Sequence, residues 1–352
     1  MLDYLIKGAH IVDGTGAPPE NGDLGIRDGK IVARGRVDEE ARETIAADGA
    51  LATPGWVDIH THYDGQVTWD DQMDPSASHG VTTVVMGNCG VGFAPVPPGG
   101  ERELIELMEG VEDIPGTALY EGMPWGEWET FPEYLDLIAS REYALDVGAQ
   151  LAHGSLRNYV MGQRGRDQEA ATAEDLARMA ALVEEAMRAG AVGFSTNRTT
   201  GHRSIDGNPV PGTFAEEEEL VALVQAMDRA GSGVFELIPA STVGNLEVLG
   251  GERFSLVEEF ELIKRLGRSC NRPVTFTTVQ VPDNPTEWQA ILAGAAEENA
   301  AGANLRPQVA SRPIGFVTSL DTYHMFQRRE TYLKIADLPL AERVREMQKS
   351  EV

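Results

Sequence analysis

His60 and His62 stand two residues apart in the run PGWVDIHTHYD at residues 54–64. Val57, Ile59 and Thr61 alternate there with Asp58, His60 and His62, which predicts a buried strand ending in two histidines. Residues two apart in a strand point the same way, so both imidazoles would leave one face near the strand's end. Two neutral imidazoles so placed can grip one metal ion. The plainer alternative is a pair of polar residues beside a turn. Cys89 lies just past a second apolar run, VTTVVM at residues 81–86. A thiolate there can join the imidazoles around zinc, which accepts both sulfur and nitrogen. The alternative for a lone cysteine is a small buried hydrophobe. Gly87, Gly90 and Gly92 imply a tight loop whose backbone comes close to something else.

Other residues are candidates on position. His153 and Arg157, in HGSLRNYVMG, sit at a predicted strand-to-loop junction. They read either as holders of a substrate carboxylate, which arginine grips bidentately, or as a surface pair. His202, in TGHRSIDGNPVPG, lies on a Gly/Pro-rich loop after the fourth predicted barrel strand. It is a replacement ligand, a substrate contact or an exposed side chain. Asp64 follows the histidines by two residues and suits a place behind the metal. Cys270, at a helix end ahead of its strand, reads as structural, as do His10, His79 and His324.

These side chains need elements to hold them. Residues 1–53 read as short strands, with Leu5-Ile6 and Ile11-Val12 flanking a loop. Asp28-Gly29, between LGIR and KIVARG, signals a tight hairpin, because that turn needs positive φ at both central positions. From Pro54 onward strands alternate with helices, the pattern of parallel βαβ units. Barrel-type strands are expected to start near residues 55, 81, 145, 191, 233, 273 and 304, and a helix covers 338–347. Helix starts are expected at Thr130 with Glu133, Thr213 with Glu216, Ser255 with Glu258, and Thr286 with Gln289. Seven strands predict a (β/α)₈-type barrel in which the eighth is not visible before the chain stops. A doubly wound open sheet is the alternative, but no Gly-rich phosphate loop follows the first strand. In a barrel the strands' carboxyl ends carry the chemistry, which is where His60, His62 and Cys89 fall.

Composition narrows the function. The 352 residues carry 29 basic and 56 acidic side chains, a net charge of −27. So acidic a surface repels phosphate backbones and argues against nucleic-acid binding. Acidic runs such as residues 216–219 read as solvated helix faces. No apolar run approaches membrane-spanning length, which predicts no membrane association. The start, MLDYLIKGAH, has no basic patch followed by an apolar stretch and so no secretion signal. Two cysteines exclude a disulfide framework and suit a reducing cytoplasm.

PGWVDIHTHYD resembles the first-strand signature of the metal-dependent amidohydrolases. Together with NCGVGFAP at residues 88–95 it is more narrowly similar to the N-acyl-D-amino-acid deacylases, or D-aminoacylases. LIKGAHIVDGTG and the Asp-Gly hairpin resemble that family's β-sandwich; HGSLRNYVMG and GFSTNRT resemble its third and fourth strand ends. The resemblance implies a β-sandwich segment over residues 1–53 and an amidohydrolase barrel over 54–352, incomplete at its C-terminal end. It implies zinc-assisted hydrolysis of a linear amide, with one or two ions polarising the carbonyl and lowering the pKa of a water. The partner would be a small-molecule N-acyl amino acid or related amide. His60, His62 and Cys89 carry over as metal ligands. The five lysines (Lys7, Lys30, Lys264, Lys334 and Lys349) all lie away from predicted strand ends. A carbamylated lysine bridge is therefore not expected, which favours the cysteine variant over a hydantoinase-like site. The chain also departs from the family. Strands five and six, GVFELIPA and RPVTFTTVQ, lack the family's histidines. Glu236 stands near the strand-five position, as an oxygen ligand or as an ordinary satisfied carboxylate. The catalytic aspartate is expected after an eighth strand, past Val352. A second reading follows: a non-catalytic remnant or fragment with a binding or scaffold role. Its open apolar strand edges would favour homo-oligomers.

Overall fold

The computed structural model describes residues 1–112, 114–240, 256–280, 284–310, 320 and 329–349. The chain divides into two compact units, Met1–Val57 with Ser76–Thr83, and Asp58–Pro75 with Val84–Val352. His324 and Ser255 lie outside the described residues.

The N-terminal sheet is built from β1 (Leu2–Ile11), β2 (Glu20–Arg27), β3 (Lys30–Gly35), β4 (Ala41–Ala46) and β5 (Leu51–Ala52). Its order is β3-β2-β1-β4, with β5 also on β1. Asp28 and Gly29 take φ of 50° and 69° between β2 and β3, the positive values this turn requires. The loop expected between Leu5-Ile6 and Ile11-Val12 is instead one continuous strand. A bulge absorbs the irregularity: register shifts between Ile6 and Ala9, and Gly8 takes φ 70°. Among the described residues this is a separate N-terminal sheet, the segment expected ahead of the barrel. Leu2, Leu5 and Val37 bury one small cluster and Ala9, Ile11 and Leu24 another.

The second sheet has seven strands: β6 (Trp56–Asp58), β7 (Val81–Met86), β8 (Asp146–Ala152), β9 (Gly193–Asn197), β10 (Val234–Ile238), β11 (Val274–Thr277) and β12 (Leu305–Gln308). Their spatial order is their chain order, the mark of a winding barrel rather than a doubly wound sheet. Strands β8 to β12 pair in parallel. Each strand starts within two residues of its expected position. The buried strand predicted around the histidines is corrected, however. β6 is three residues long at the end of the sheet, so Trp56, Val57 and Ile59 are 63%, 57% and 50% exposed. The most buried strands are instead β9 and β10, at the middle of the sheet order.

The helices are α1 (Glu101–Glu112), α2 (Gly116–Gly122), α3 (Phe131–Ala139), α4 (His153–Met161), α5 (Gln163–Arg166), α6 (Ala173–Ala189), α7 (Glu217–Ala230), α8 (Leu256–Arg268), α9 (Glu287–Ala300), α10 (Glu330–Leu333) and α11 (Leu340–Met347). Among the described residues no helix is long and apolar enough to cross a membrane. Thr130 and Glu133 form the expected capping box on α3. Thr172 and Asp175 form another on α6, and Gly190 at φ 116° stops that helix. Thr213 does not cap α7; its hydroxyl donates to the Val210 carbonyl and the helix begins after Glu216. Thr286 makes no side-chain cap on α9. At the other end of the sheet order, Gln308 of β12 meets His60, just past β6, across 2.8 Å. The sheet therefore curls until its first and last strands approach at their carboxyl ends, and the candidate site lies there.

Candidate metal centre

Cys89 is presented by a strained loop at the end of β7. It takes φ 58°, a left-handed conformation that ordinary residues rarely adopt. Gly87 and Gly90 beside it are also left-handed, and a Cβ on Gly87 would lie 2.2 Å from the Gln150 carbonyl oxygen. Neighbouring strands pin this loop. The Asn88 amide donates to the Thr61 and Val85 carbonyls and accepts from Gln150 Nε2 at 2.7 Å. Ser195 Oγ of β9 accepts from the Gly90 amide and donates to the Gly87 carbonyl. Gly154 at the start of α4 donates to Gly90 at 2.8 Å. Four strand ends thus hold one thiol in place.

That thiol faces both histidines. His60 Nε2 lies 3.1 Å from Cys89 Sγ, and His62 Nε2 lies 3.6 Å from it. The three ligand atoms fall within 4.8 Å of one another. The other nitrogen of His60, Nδ1, faces Gln308 Oε1 at 2.8 Å. An amide oxygen only accepts, so Nδ1 carries the proton and Nε2 turns its lone pair toward Cys89. Glu236, 1% exposed on β10, has an oxygen 3.9 Å from His60 Nδ1. Glu112, at the end of α1, lies 3.3 Å from His62 Nε2.

The electrostatics suit a cation. Burial, then the charges of His60 and His202, pushes His62 well below its ordinary pKa. Burial also lowers His60, and it takes His202 to about 4. The imidazoles are therefore neutral, the form that binds metal. Burial, followed by the carboxylates of Glu112, Glu236 and Asp64, pushes the Cys89 thiol well up. Burial raises Asp64 to about 7 and Glu236 to about 8. His62 Nδ1, His202 Nδ1, Asp64 Oδ2 and both Glu236 oxygens are buried without a hydrogen-bond partner. Of these, the unpartnered Glu236 oxygens, whose charge acts on the Cys89 thiol, are costly in a metal-free pocket and are what a divalent ion would satisfy. The donor set therefore fits a borderline-soft metal such as zinc.

The structure gives His153 and Arg157 a different setting from the one their sequence suggests. β8 runs directly into α4, with no loop between, and both side chains turn inward. Arg157 grips both oxygens of Glu219 at 2.7 and 2.8 Å, and His153 Nε2 meets the same carboxylate at 2.8 Å. His153 Nδ1 faces Thr196 Oγ1. Burial lowers His153, leaving it neutral, with its Nε2–H donating to Glu219. All three residues are at most 3% exposed, so the carboxylate that Arg157 holds belongs to the protein. Glu219 itself corrects the reading of residues 216–219 as a solvated face. Glu216 and Glu218 are exposed, while Glu219 points into this triad. Gln308 and Glu112 were missed from sequence. The strand-end position of Gln308 was an available signal, whereas no local pattern marks Glu112.

The amidohydrolase family model matches residues 43–352. The chain belongs to that family. Among its relatives, the D-aminoacylase of Alcaligenes xylosoxydans xylosoxydans is 30% identical over 285 residues, which cover 81% of this chain and 52% of that one. A D-aminoacylase crystal structure superposes with a TM-score of 0.69 at 28% identity, covering 88% of this chain and 58% of the other. The N-acyl-D-glutamate deacylase of Bordetella bronchiseptica, complexed with zinc and a phosphonate inhibitor, gives 0.67 at 27% identity, covering 89% and 59%. The chain spans about half the length of the curated relative it matches over most of its own length.

Proposed function

We propose that this chain carries the metal-binding part of a zinc-dependent hydrolase of linear amide C–N bonds, of the N-acyl-D-amino-acid deacylase kind. The observation that carries the reading is the convergence of His60 Nε2, His62 Nε2 and Cys89 Sγ within 4.8 Å. A bound divalent ion supplies Lewis acidity at the scissile carbonyl and acidifies a water. The chain's own residues prepare that site. Gln308 fixes the His60 tautomer, and the Asn88–Gln150–Ser195 bonds hold Cys89 at its strained φ. Glu236 offers oxygen atoms from the His60 side. Val91 and Phe93, at most 1% exposed, follow Cys89 in the chain. The substrate class is a small N-acyl amino acid or related amide; its D configuration rests on likeness to the deacylases alone. Free Cys89 and Cys270 suit a reducing compartment such as cytoplasm.

Elemental analysis of the purified protein tests the reading, with His60→Ala and Cys89→Ala alongside. About one zinc per chain, lost in both variants, is the expected result for a three-ligand site. Full zinc occupancy in Cys89→Ala would sink it. One observation favours a second reading, a binding or scaffold role. β10 and β11 bring Glu236, Thr275 and Thr277 to the region where the family carries histidines. A zinc-loaded chain that neither hydrolyses N-acetyl-D-amino acids nor binds a phosphonate analogue would favour that alternative.

A further inference from the structure

We propose that Glu112 supplies a fourth ligand to this metal centre, so that the end of α1 is part of the site itself. The inference rests on the metal reading above and adds to it. Zinc takes four ligands, and His60, His62 and Cys89 supply three. Glu112 Oε1 stands 3.3 Å from His62 Nε2, the same nitrogen that faces Cys89 at 3.6 Å. A carboxylate and a thiol thus meet one imidazole nitrogen, the arrangement expected of groups sharing an ion. Glu236 approaches from the other side, at His60.

The position of Glu112 is built by backbone packing. Gly110 lies two residues before it on α1. A Cβ there would come within 2.3 Å of the Arg203 carbonyl oxygen and the Ser204 carbonyl carbon, and 2.4 Å of the Ile205 nitrogen. The Ile205 amide donates to the Glu106 carbonyl at 3.0 Å. Helix and loop therefore touch backbone to backbone only because residue 110 has no side chain. This contact brings Glu112 to His62 from α1. The neighbouring His202, with Nδ1 buried and unpartnered, comes from the loop after β9. Glu112 thus offers an oxygen from α1 in a chain whose strands β10 and β11 offer no histidine nitrogen.

Titration of the full chain with Zn²⁺ and Co²⁺ tests the proposal in wild type, Glu112→Gln, Glu112→Asp and Gly110→Ala. Glu112→Gln should weaken binding on the order of 10–100-fold, as loss of a supporting group at a metal site does. At saturating Co²⁺ it should keep the thiolate charge-transfer band from Cys89 while the ligand-field bands change, because the coordination has changed. Glu112→Asp should recover part of the affinity. Gly110→Ala should weaken binding with the far-UV circular dichroism unaltered. Wild-type affinity and wild-type ligand-field bands in Glu112→Gln would overturn the inference while leaving the metal centre standing. A folded wild type that holds no metal would overturn both.

Discussion

At the scale of single residues, Glu219, Arg157 and His153 form a buried electrostatic triad away from the candidate site. Three polar side chains sit almost wholly out of water, and each depends on the others. Burial acts to raise the Glu219 carboxyl, but the bonds from His153 and Arg157 outweigh it and hold the group below its ordinary value. Breaking such a set by removing one partner is strongly destabilising, because it strands a buried charge. Glu219→Ala should therefore cost about 3–5 kcal/mol in urea unfolding. A loss under about 1 kcal/mol would mean that Arg157 finds water or another carboxylate. The triad also lies next to Gly154, whose amide holds Gly90 beside Cys89, so its loss should loosen the thiol loop.

At the scale of elements, α6 gives a pH dependence whose sign can be worked out. The Arg164 guanidinium beside Asp175, followed by the Thr172 bonds, takes the Asp175 carboxyl from 3.8 to about 2 despite its burial. A carboxyl depressed in the folded state stabilises the fold above its unfolded pKa. That contribution is lost as pH falls through the folded one. Asp175→Asn should thus lower stability by about 1 kcal/mol near neutral pH, the usual net worth of a hydrogen bond, by weakening those that Asp175 accepts from Arg164 and Thr172. The gap from wild type should close between pH 3.8 and about 2. A gap that stays constant through that range would show that the ionised carboxylate adds nothing beyond the shape of the cap.

At the scale of the whole molecule, the net charge of −27 sets two opposing terms. Self-repulsion destabilises the compact state, whereas exposed ion pairs such as Arg265 with Glu217 stabilise it weakly. Salt screens both, over a length of about 10 Å at 0.1 M. Each exposed pair is worth at most about 1 kcal/mol, so repulsion should dominate. The urea midpoint should rise as sodium chloride is raised from low ionic strength; a fall would mean that the ion pairs win.

Much of this was determined by local sequence. The seven strand positions follow from apolar runs and their spacing, the β2–β3 turn from Asp28-Gly29, and the α3 start from Thr130 and Glu133. His60, His62 and Cys89 could be grouped from sequence because each lies shortly after a strand, and barrel strands deliver their carboxyl ends to one face. Tertiary packing decided the rest. Glu216, Glu218 and Glu219 belong to one acidic run, yet only Glu219 is buried, since helical phase aims it at Arg157. Arg157 turns inward because β8 passes straight into α4. Gln308 reaches His60 across 248 positions, and Glu112 reaches His62 through the docking of α1 on residues 203–205. Period, turn chemistry and motif are properties of neighbouring residues. Which distant side chain meets a buried group depends on how the elements pack.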